Sequence, residues 1–558
     1  MSKTFFITTA IDYTNSPPHI GHAYEKVLAD VIARYHRLKG EEVFFLTGVD
    51  QHGQKVQQSA AKAGIAPAEF VKDITEKFVD LWQKLDVRYD EWAETTSKRH
   101  KKVVQGILQR LFEEGEIYKD KQAGYYSVRQ EQFLTDKERG PDGEFGLEWG
   151  EIEFREEENY YFKLSQHKEW LLRYIEDRKD AIIPDFRQTE LRNAVEKISG
   201  DLCISRPKSR LDWGIELPFD KDFVTYVWFD ALTNYISFAG YDPNASAVAT
   251  GLRPVKTDAS SKSLGTAHRA VATSEFDAQP QEFRDRWSKD TLQTIGKDIL
   301  IPAHGIYWLI MLHAIGFPDD QMPQLLVHGW WNLGGAKMSK STGNIIDPFV
   351  LAEKYGAEAV RYYLMSDIAT GYDADFLEVL LRQRHDSELS NSLGNLLNRT
   401  LPLLNKYQDG LLHRVEPTEK VFLSLRTLAN DTVEWFCEAI EKTFSIHSAL
   451  AFLHNFVRRC NEFAQETSPW KLVTDSEHEE RLNASLYHLS ESLRMIAILI
   501  SPVLPKAAHG IFDQLNWKME KELSGKEKRF SLKDAKWGCL PDGHVVGKPV
   551  PLFPRIEQ

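Results

Sequence analysis

A chain of 558 residues is several times longer than a single hydrophobic core needs, so three or four folded units are expected. Hydrophobic residues at 42%, charged residues at 27%, 33 Gly and 23 Pro are globular values, which excludes a fibrous or disordered chain. With 69 Lys and Arg against 82 Asp and Glu the net charge is −13, which excludes a whole-chain positive field for nucleic acid or anionic membranes but not a local basic groove.

The opening MSKTFFITTAIDYTNSPPHIGH has neither the basic and apolar regions of a secretory leader nor an Arg/Ser-rich transit pattern. Within it, Thr4–Ala10 is a β-rich run and TNSPP a turn, and Val27, Leu28, Val31, Ile32 and Tyr35 then follow at the spacing of one helix face. Gly40 stops that helix, and Val43–Leu46 starts a second strand that ends in Gly48, Asp50, His52 and Gly53. The pattern is a βαβ unit with polar residues at its strand ends, where open α/β sheets bind ligands. The first strand is followed by no G-x-G-x-x-G, and no P-loop occurs in the chain, so another phosphate device is needed. His19-Ile20-Gly21-His22 offers one: two imidazoles and free backbone N–H groups at a helix start make an anion site. On its own such a tetrapeptide more often marks a turn with two surface histidines.

Further on, the stretch 118–218 reads as a separate β-rich insert, and Asn244–Arg286 as a low-complexity surface insertion with no function assigned. Leu325–Gly343 (LLVHGWWNLGGAKMSKSTG) is a β-rich run leading into a Gly-Gly loop with Lys337, Ser339, Lys340 and Ser341, a mobile cationic hairpin able to follow phosphate charge. From about Pro348 the apolar spacing is helical throughout, which gives an α-bundle. No apolar run of ~20 residues occurs anywhere, so no transmembrane helix is expected. The four cysteines, Cys203, Cys437, Cys460 and Cys539, are too few for a disulfide framework and point to a reducing, cytoplasmic setting.

Taken together, His19–His22 and Lys337–Ser341 resemble the HIGH and KMSKS signatures of the class I aminoacyl-tRNA synthetases. Within that class the chain is similar to the methionyl-tRNA synthetase family through Tyr13, Asn15, LTGVDQHG, YVWFDALTNY at Tyr226–Tyr235, TIGKDI at Thr294–Ile299, NLLNR at Asn395–Arg399 and SPW at Ser468–Trp470. The fold this resemblance implies is α/β: a Rossmann-like parallel sheet in two halves, 1–117 and 219–347, separated by the connective insert 118–218. A stem-contact junction at 348–385 and an all-α anticodon-binding domain at 386–558 would follow. It implies activation of L-methionine by ATP with Mg²⁺, transfer to tRNA(Met) including the initiator, and no membrane partner. His19, His22, Lys337 and Lys340 would be catalytic. ATP would be bound by those four with Gly21, Gly296, Asp298, His328 and Ser339. Methionine would lie among Ile11, Tyr13, Trp228, Ala231, Tyr235, His304 and Trp308, with Asp50 on its ammonium. Asn395, Arg399 and Trp470 would meet the anticodon.

Two departures accompany the resemblance. Where relatives carry a zinc knuckle this chain has Ser127 and Gln130, and Cys203 alone cannot make a four-ligand site, so no structural zinc is expected. One additional residue separates Asp298 from His304, which is expected to shift that histidine in the pocket. The short insert argues against the large-insert leucine, isoleucine and valine enzymes, and the absence of site cysteines argues against the cysteine enzyme. A tRNA-independent nucleotidyltransferase would leave the helical half unexplained, and a catalytically silent tRNA-binding paralogue would not need both signatures. A monomer is expected.

Overall fold

In this computed structural model the described residues are 4–127, 132–134, 139–140, 142–146, 149–245, 275–337, 345–472, 478–517 and 530–554. Strand β1 (Thr4–Thr9) leads to the two-residue strand β2 (Asp12–Tyr13), and helix α1 (Ile20–Lys39) then crosses to strand β3 (Glu42–Asp50). β1 and β3 are parallel, with Phe5 opposite Val43 and Thr8 opposite Leu46. On the far side of β3 lie β2, with Tyr13 opposite Asp50, and strand β4 (Glu91–Glu94). Beyond β1 come Leu292–Gly296 and Gln324–His328, again parallel, so the strand ends carrying polar residues gather on one edge.

The last strand of this seven-stranded sheet is Ile182–Ile183, which pairs with Leu325–Leu326. It comes from the stretch read as a separate insert. An exposed sheet edge is a liability, and a short strand borrowed from the insert covers it. The rest of the insert is antiparallel: Ile117–Ser127 and Ile152–Phe162 pair along their whole length, and Leu202–Cys203 extends the sheet. The composition-defined insertion also ends earlier than expected. Residues 246–274 lie outside the described set, but Phe276 and Phe283 are buried against Trp287 and Phe317, so the core has resumed by then.

Two apolar layers clothe the parallel sheet. One, with Phe6 and Leu46, packs against the insert and the helices Lys98–Glu113 and Val227–Ser237. The other, with Ile7 and Val27, runs without a break into the C-terminal helices Lys420–Thr443, Ile446–Thr467 and Glu479–Ile500. α1 is therefore enclosed on nearly every side. Beyond its expected apolar face it also buries Glu25, Lys26, Asp30 and Arg34, a departure that matters for the site. Gly40 (φ 90) ends it, its N–H donating to the Arg37 carbonyl and the Glu41 N–H to that of His36. Among the described residues no helix is long and apolar enough to cross a membrane.

Candidate functional site

The site is built on the start of α1. His19 is the N-cap in extended geometry, and its Nδ1 accepts the Gly21 N–H at 3.0 Å. His22 returns the bond, its Nδ1 accepting the His19 N–H at 3.1 Å. This is a capping box made from two histidines, and it brings their rings together at a 36° tilt with centroids 3.9 Å apart. Because each Nδ1 is an acceptor, each neutral ring carries its proton on Nε2. A Cβ at Gly21 would stand 2.9 Å from His19 Cε1, so glycine is needed here first for the histidine itself.

The segments on either side of the lysine signature are described up to Lys337 and again from residue 345. Trp331–Leu333 pairs with Ala336–Lys337 across Gly334 (φ 62) and Gly335 (φ 76), two left-handed positions that suit glycine. Ser339, Lys340 and Ser341 lie outside the described residues, as does Met338, and of Lys337 only the backbone is described. Past those residues, the Ile346 carbonyl accepts the Ile20 N–H at 3.1 Å, so the chain at Ile346 lies against the first turn of α1.

Methionine-side candidates come from three chain segments. Ile11 and Tyr13 lie on the corner after β1 and are half-buried, as is Trp228. Trp228, Ala231 and Tyr235 share one face of the Val227–Ser237 helix at i, i+3 and i+7. Tyr235 is fully buried, and its hydroxyl donates to His304 Nε2 at 2.7 Å. His304 Nδ1 in turn donates to the Ile299 carbonyl at 3.0 Å, and burial pushes this imidazole down to about 4, so it is a neutral acceptor toward Tyr235. His304 lies in wide helical turns over Leu300–Trp308 that are interrupted by the extended backbone of Ile301 (φ −116, ψ 121). Trp308 is wholly interior, donating to Gln293 Oε1 at 2.8 Å, and backs Tyr235 with ring centroids 5.5 Å apart.

Asp50 ends β3 in a buried position, with the His52 N–H and the Thr95 hydroxyl donating to its Oδ1 at 3.4 and 3.5 Å. Burial and the neighbouring Asp230 charge push its carboxyl well above the usual range. Asp230, a site residue that sequence reasoning missed, accepts from His52 Nδ1 and His100 Nε2, both at 2.7 Å. Burial would raise its carboxyl, but those two imidazoles hold it down to about 2. The available signal was the histidine two residues after Asp50 and the aspartate two after Trp228.

On the nucleotide side, Gly296, Asp298 and His328 converge. A Cβ on Gly296 would stand 2.8 Å from Asp298 Oδ1 and 3.6 Å from His328 Cε1. Asp298 Oδ1 accepts from Trp330 Nε1 at 3.2 Å. His328 donates from Nε2 to Glu25 Oε2 at 2.9 Å and from Nδ1 to the Gly329 carbonyl at 2.7 Å. Far from these, Asn395 donates to Asn461 Oδ1 at 3.3 Å, Arg399 is exposed one turn on, and Trp470 is 37% exposed in the short helix Pro469–Leu472 that follows the helix carrying Asn461. Among the described residues no group of three or more His, Cys, Asp or Glu is placed to hold a metal. At the knuckle position Ser127 donates to the Trp149 carbonyl, and Gln130 lies outside the described residues.

A family model for class I tRNA synthetases (M) matches residues 5–143 and 147–401. A methionine–tRNA ligase of Caldanaerobacter subterraneus subsp. tengcongensis is 38% identical over 557 residues, covering all of this chain and 80% of its own. That of Bacillus subtilis (strain 168) is 37% identical, covering all of this chain and 78% of its own. Among solved structures, Mycobacterium tuberculosis methionyl-tRNA synthetase in complex with methionyl-adenylate has a TM-score of 0.84 and 32% identity, covering 99% of this chain and all of that one.

Proposed function

The chain belongs to the class I tRNA synthetases of the methionine type, and from that premise we infer how its site carries out the reaction. The activity is methionine–tRNA ligation. A methionine carboxylate oxygen attacks the α-phosphorus of ATP, the bond to the β-phosphate oxygen breaks, and pyrophosphate leaves. A terminal ribose hydroxyl of tRNA then attacks the adenylate's carbonyl carbon, and AMP leaves.

Little covalent chemistry is asked of the protein, so positioning and charge stabilisation carry the rate. The observation that most supports our placement is the Ile20–Ile346 hydrogen bond, which sets the chain just after the lysine segment against the histidine-capped helix start. We assign the Nε2–H groups of His19 and His22 to the phosphates of ATP, which enters as its magnesium complex. Lys337, Ser339 and Lys340 close over the same charge as it moves toward pyrophosphate. Gly296 and Asp298 hold the nucleoside, with His328 behind them, its ring already tied to Glu25. Asp50 takes the methionine ammonium, and the thioether lies among Ile11, Tyr13, Trp228 and Ala231 against the Tyr235–His304 pair and Trp308, where sulfur–aromatic contacts favour it. Asn395, Arg399 and Trp470 meet the unstacked anticodon of tRNA(Met) by amide, guanidinium and stacking contacts. All four cysteines are free thiols, which fits a cytoplasmic enzyme.

The test is ATP–pyrophosphate exchange across the standard amino acids with a zinc chelator present. Exchange with methionine alone is expected. Lys340→Ala should lower it about 100-fold or more, the cost of removing one transition-state donor, while tRNA affinity is kept. Exchange with another amino acid would overturn the pocket assignment.

A further inference from the structure

Directly beneath the two substrate sides lies a cluster of charges that the chemistry above does not use. Lys26, in the second turn of α1, has only 1% of its side chain exposed. Its Nζ donates to Asp12 Oδ1 at 2.6 Å, to Glu25 Oε1 at 3.0 Å and to the Ala10 carbonyl at 2.8 Å, which uses all three ammonium hydrogens. Glu25 carries the contact onward, its Oε2 accepting from His328 Nε2. One unbroken chain of charged contacts therefore runs from the Ala10–Tyr13 corner to the strand end beside Gly296.

Stability is weak ground for such a cluster. Removing an ammonium and two carboxylates from water is expensive, and apolar side chains of similar volume often hold a core as well or better. Nor is the cluster fully satisfied: burial pushes the Asp12 carboxyl up to about 7 against the pull of Lys26, and Asp12 Oδ2 has no hydrogen-bond partner among the described residues. What an ionic chain supplies and an apolar one does not is directional registration of parts that move. Ile11 and Tyr13 flank Asp12, and Lys26 and Glu25 are neighbours on one helix. The corner is therefore tied through Nζ to Glu25 and on to His328.

We propose that Lys26 is a positioning residue that holds the methionine side and the nucleotide side in register, through Asp12 on one hand and Glu25–His328 on the other, so that each substrate tightens the other. The inference rests on the site reading above, in which Ile11 and Tyr13 face methionine and Gly296 and Asp298 face the nucleotide.

The experiment measures methionine affinity by titration calorimetry, with and without α,β-methylene-ATP, in the unsubstituted chain, Lys26→Met, and the doubly neutral Asp12→Asn/Lys26→Met. The nucleotide should tighten methionine about fivefold or more in the unsubstituted chain and less than about twofold in both variants. The double variant leaves Asp12 uncharged, so it carries the test if Lys26→Met alone fails to fold. A melting temperature that falls while the coupling ratio survives would make Lys26 merely structural and overturn the proposal, as would an unsubstituted chain whose methionine affinity ignores the nucleotide. Failure of the site reading is seen separately, as methionine affinity left unchanged by Asp50→Asn.

Discussion

A carboxyl group buried beside a second carboxylate resists ionisation, and Asp50 is in that position next to Asp230. A substrate ammonium needs the ionised form. Because its folded-state value is raised, the proton leaves Asp50 only as pH climbs past the ordinary carboxylate range, so the Michaelis constant for methionine should fall as pH rises through that window. Asp50→Asn should flatten this dependence and raise the constant about 100-fold or more, the scale of a broken buried ion pair. Stability should move the other way: an ionised Asp50 weakens the fold progressively above the unfolded value of ~3.9, so the asparagine variant should melt higher at neutral pH. Equal melting temperatures and parallel pH profiles would remove Asp50 from the ammonium site. The strand-end position of Asp50 was legible in the sequence, where a carboxylate beside His52 is hard to explain as packing. Its controller was not, since His52, His100 and Asp230 are separated by 130 to 178 positions between Asp230 and its two partners, and only the folded sheet brings them together.

At the scale of the element, the capping box at the start of α1 gives His19 two roles that substitution can separate. Its Nδ1 caps the helix, and its Nε2–H is assigned to phosphate. Asparagine is among the best N-cap residues, so His19→Asn should keep stability within about 0.5 kcal/mol, while His19→Ala should lose about 1 kcal/mol. Both should lower pyrophosphate exchange about 100-fold, the cost of one lost oxyanion donor. Should asparagine restore exchange, the histidine acts only as a cap. Periodicity located this helix and Gly40 located its end, since both are local signals. What periodicity obscured was the burial of Lys26, Asp30 and Arg34 on its remaining faces. A charged residue on a helix ordinarily marks solvent, and here it marks contact with other parts of the fold.

Across the whole molecule, α1 is where the sheet and the C-terminal helices share one core, and the joint is a buried guanidinium. Motif order let the sequence anticipate a parallel sheet and a helical half. The borrowed edge strand Ile182–Ile183 and this joint depend on contacts between distant segments that no motif records. Arg361, with no exposed side-chain surface, reaches Asp30 at 2.7 Å from Nη2, donates from Nε to the Val503 carbonyl at 2.8 Å and from Nη2 to that of Pro502 at 3.0 Å, and meets the Leu85 carbonyl from Nη1 at 3.1 Å. It thereby fastens α1, the turn after Lys84 and the Pro502–Val503 bend into one unit. Burial alone would raise Asp30, but Arg34 and Arg361 hold its carboxyl below the usual range. Arg361→Met keeps the apolar stem, removes the charge and strands three buried carbonyls, so urea unfolding should show a loss of about 3–5 kcal/mol at neutral pH. The sign with pH follows from the lowered value: the contribution is complete above ~3.9 and disappears as pH falls through Asp30's own value, so variant and parent should converge in acid. The same substitution should depress aminoacylation of tRNA more than pyrophosphate exchange, because the proposed anticodon residues Asn395, Arg399 and Trp470 lie in the helical half and the proposed ATP and methionine residues do not. A loss below about 1 kcal/mol, the scale of an exposed pair, would mean that the shared apolar core alone holds the two halves together.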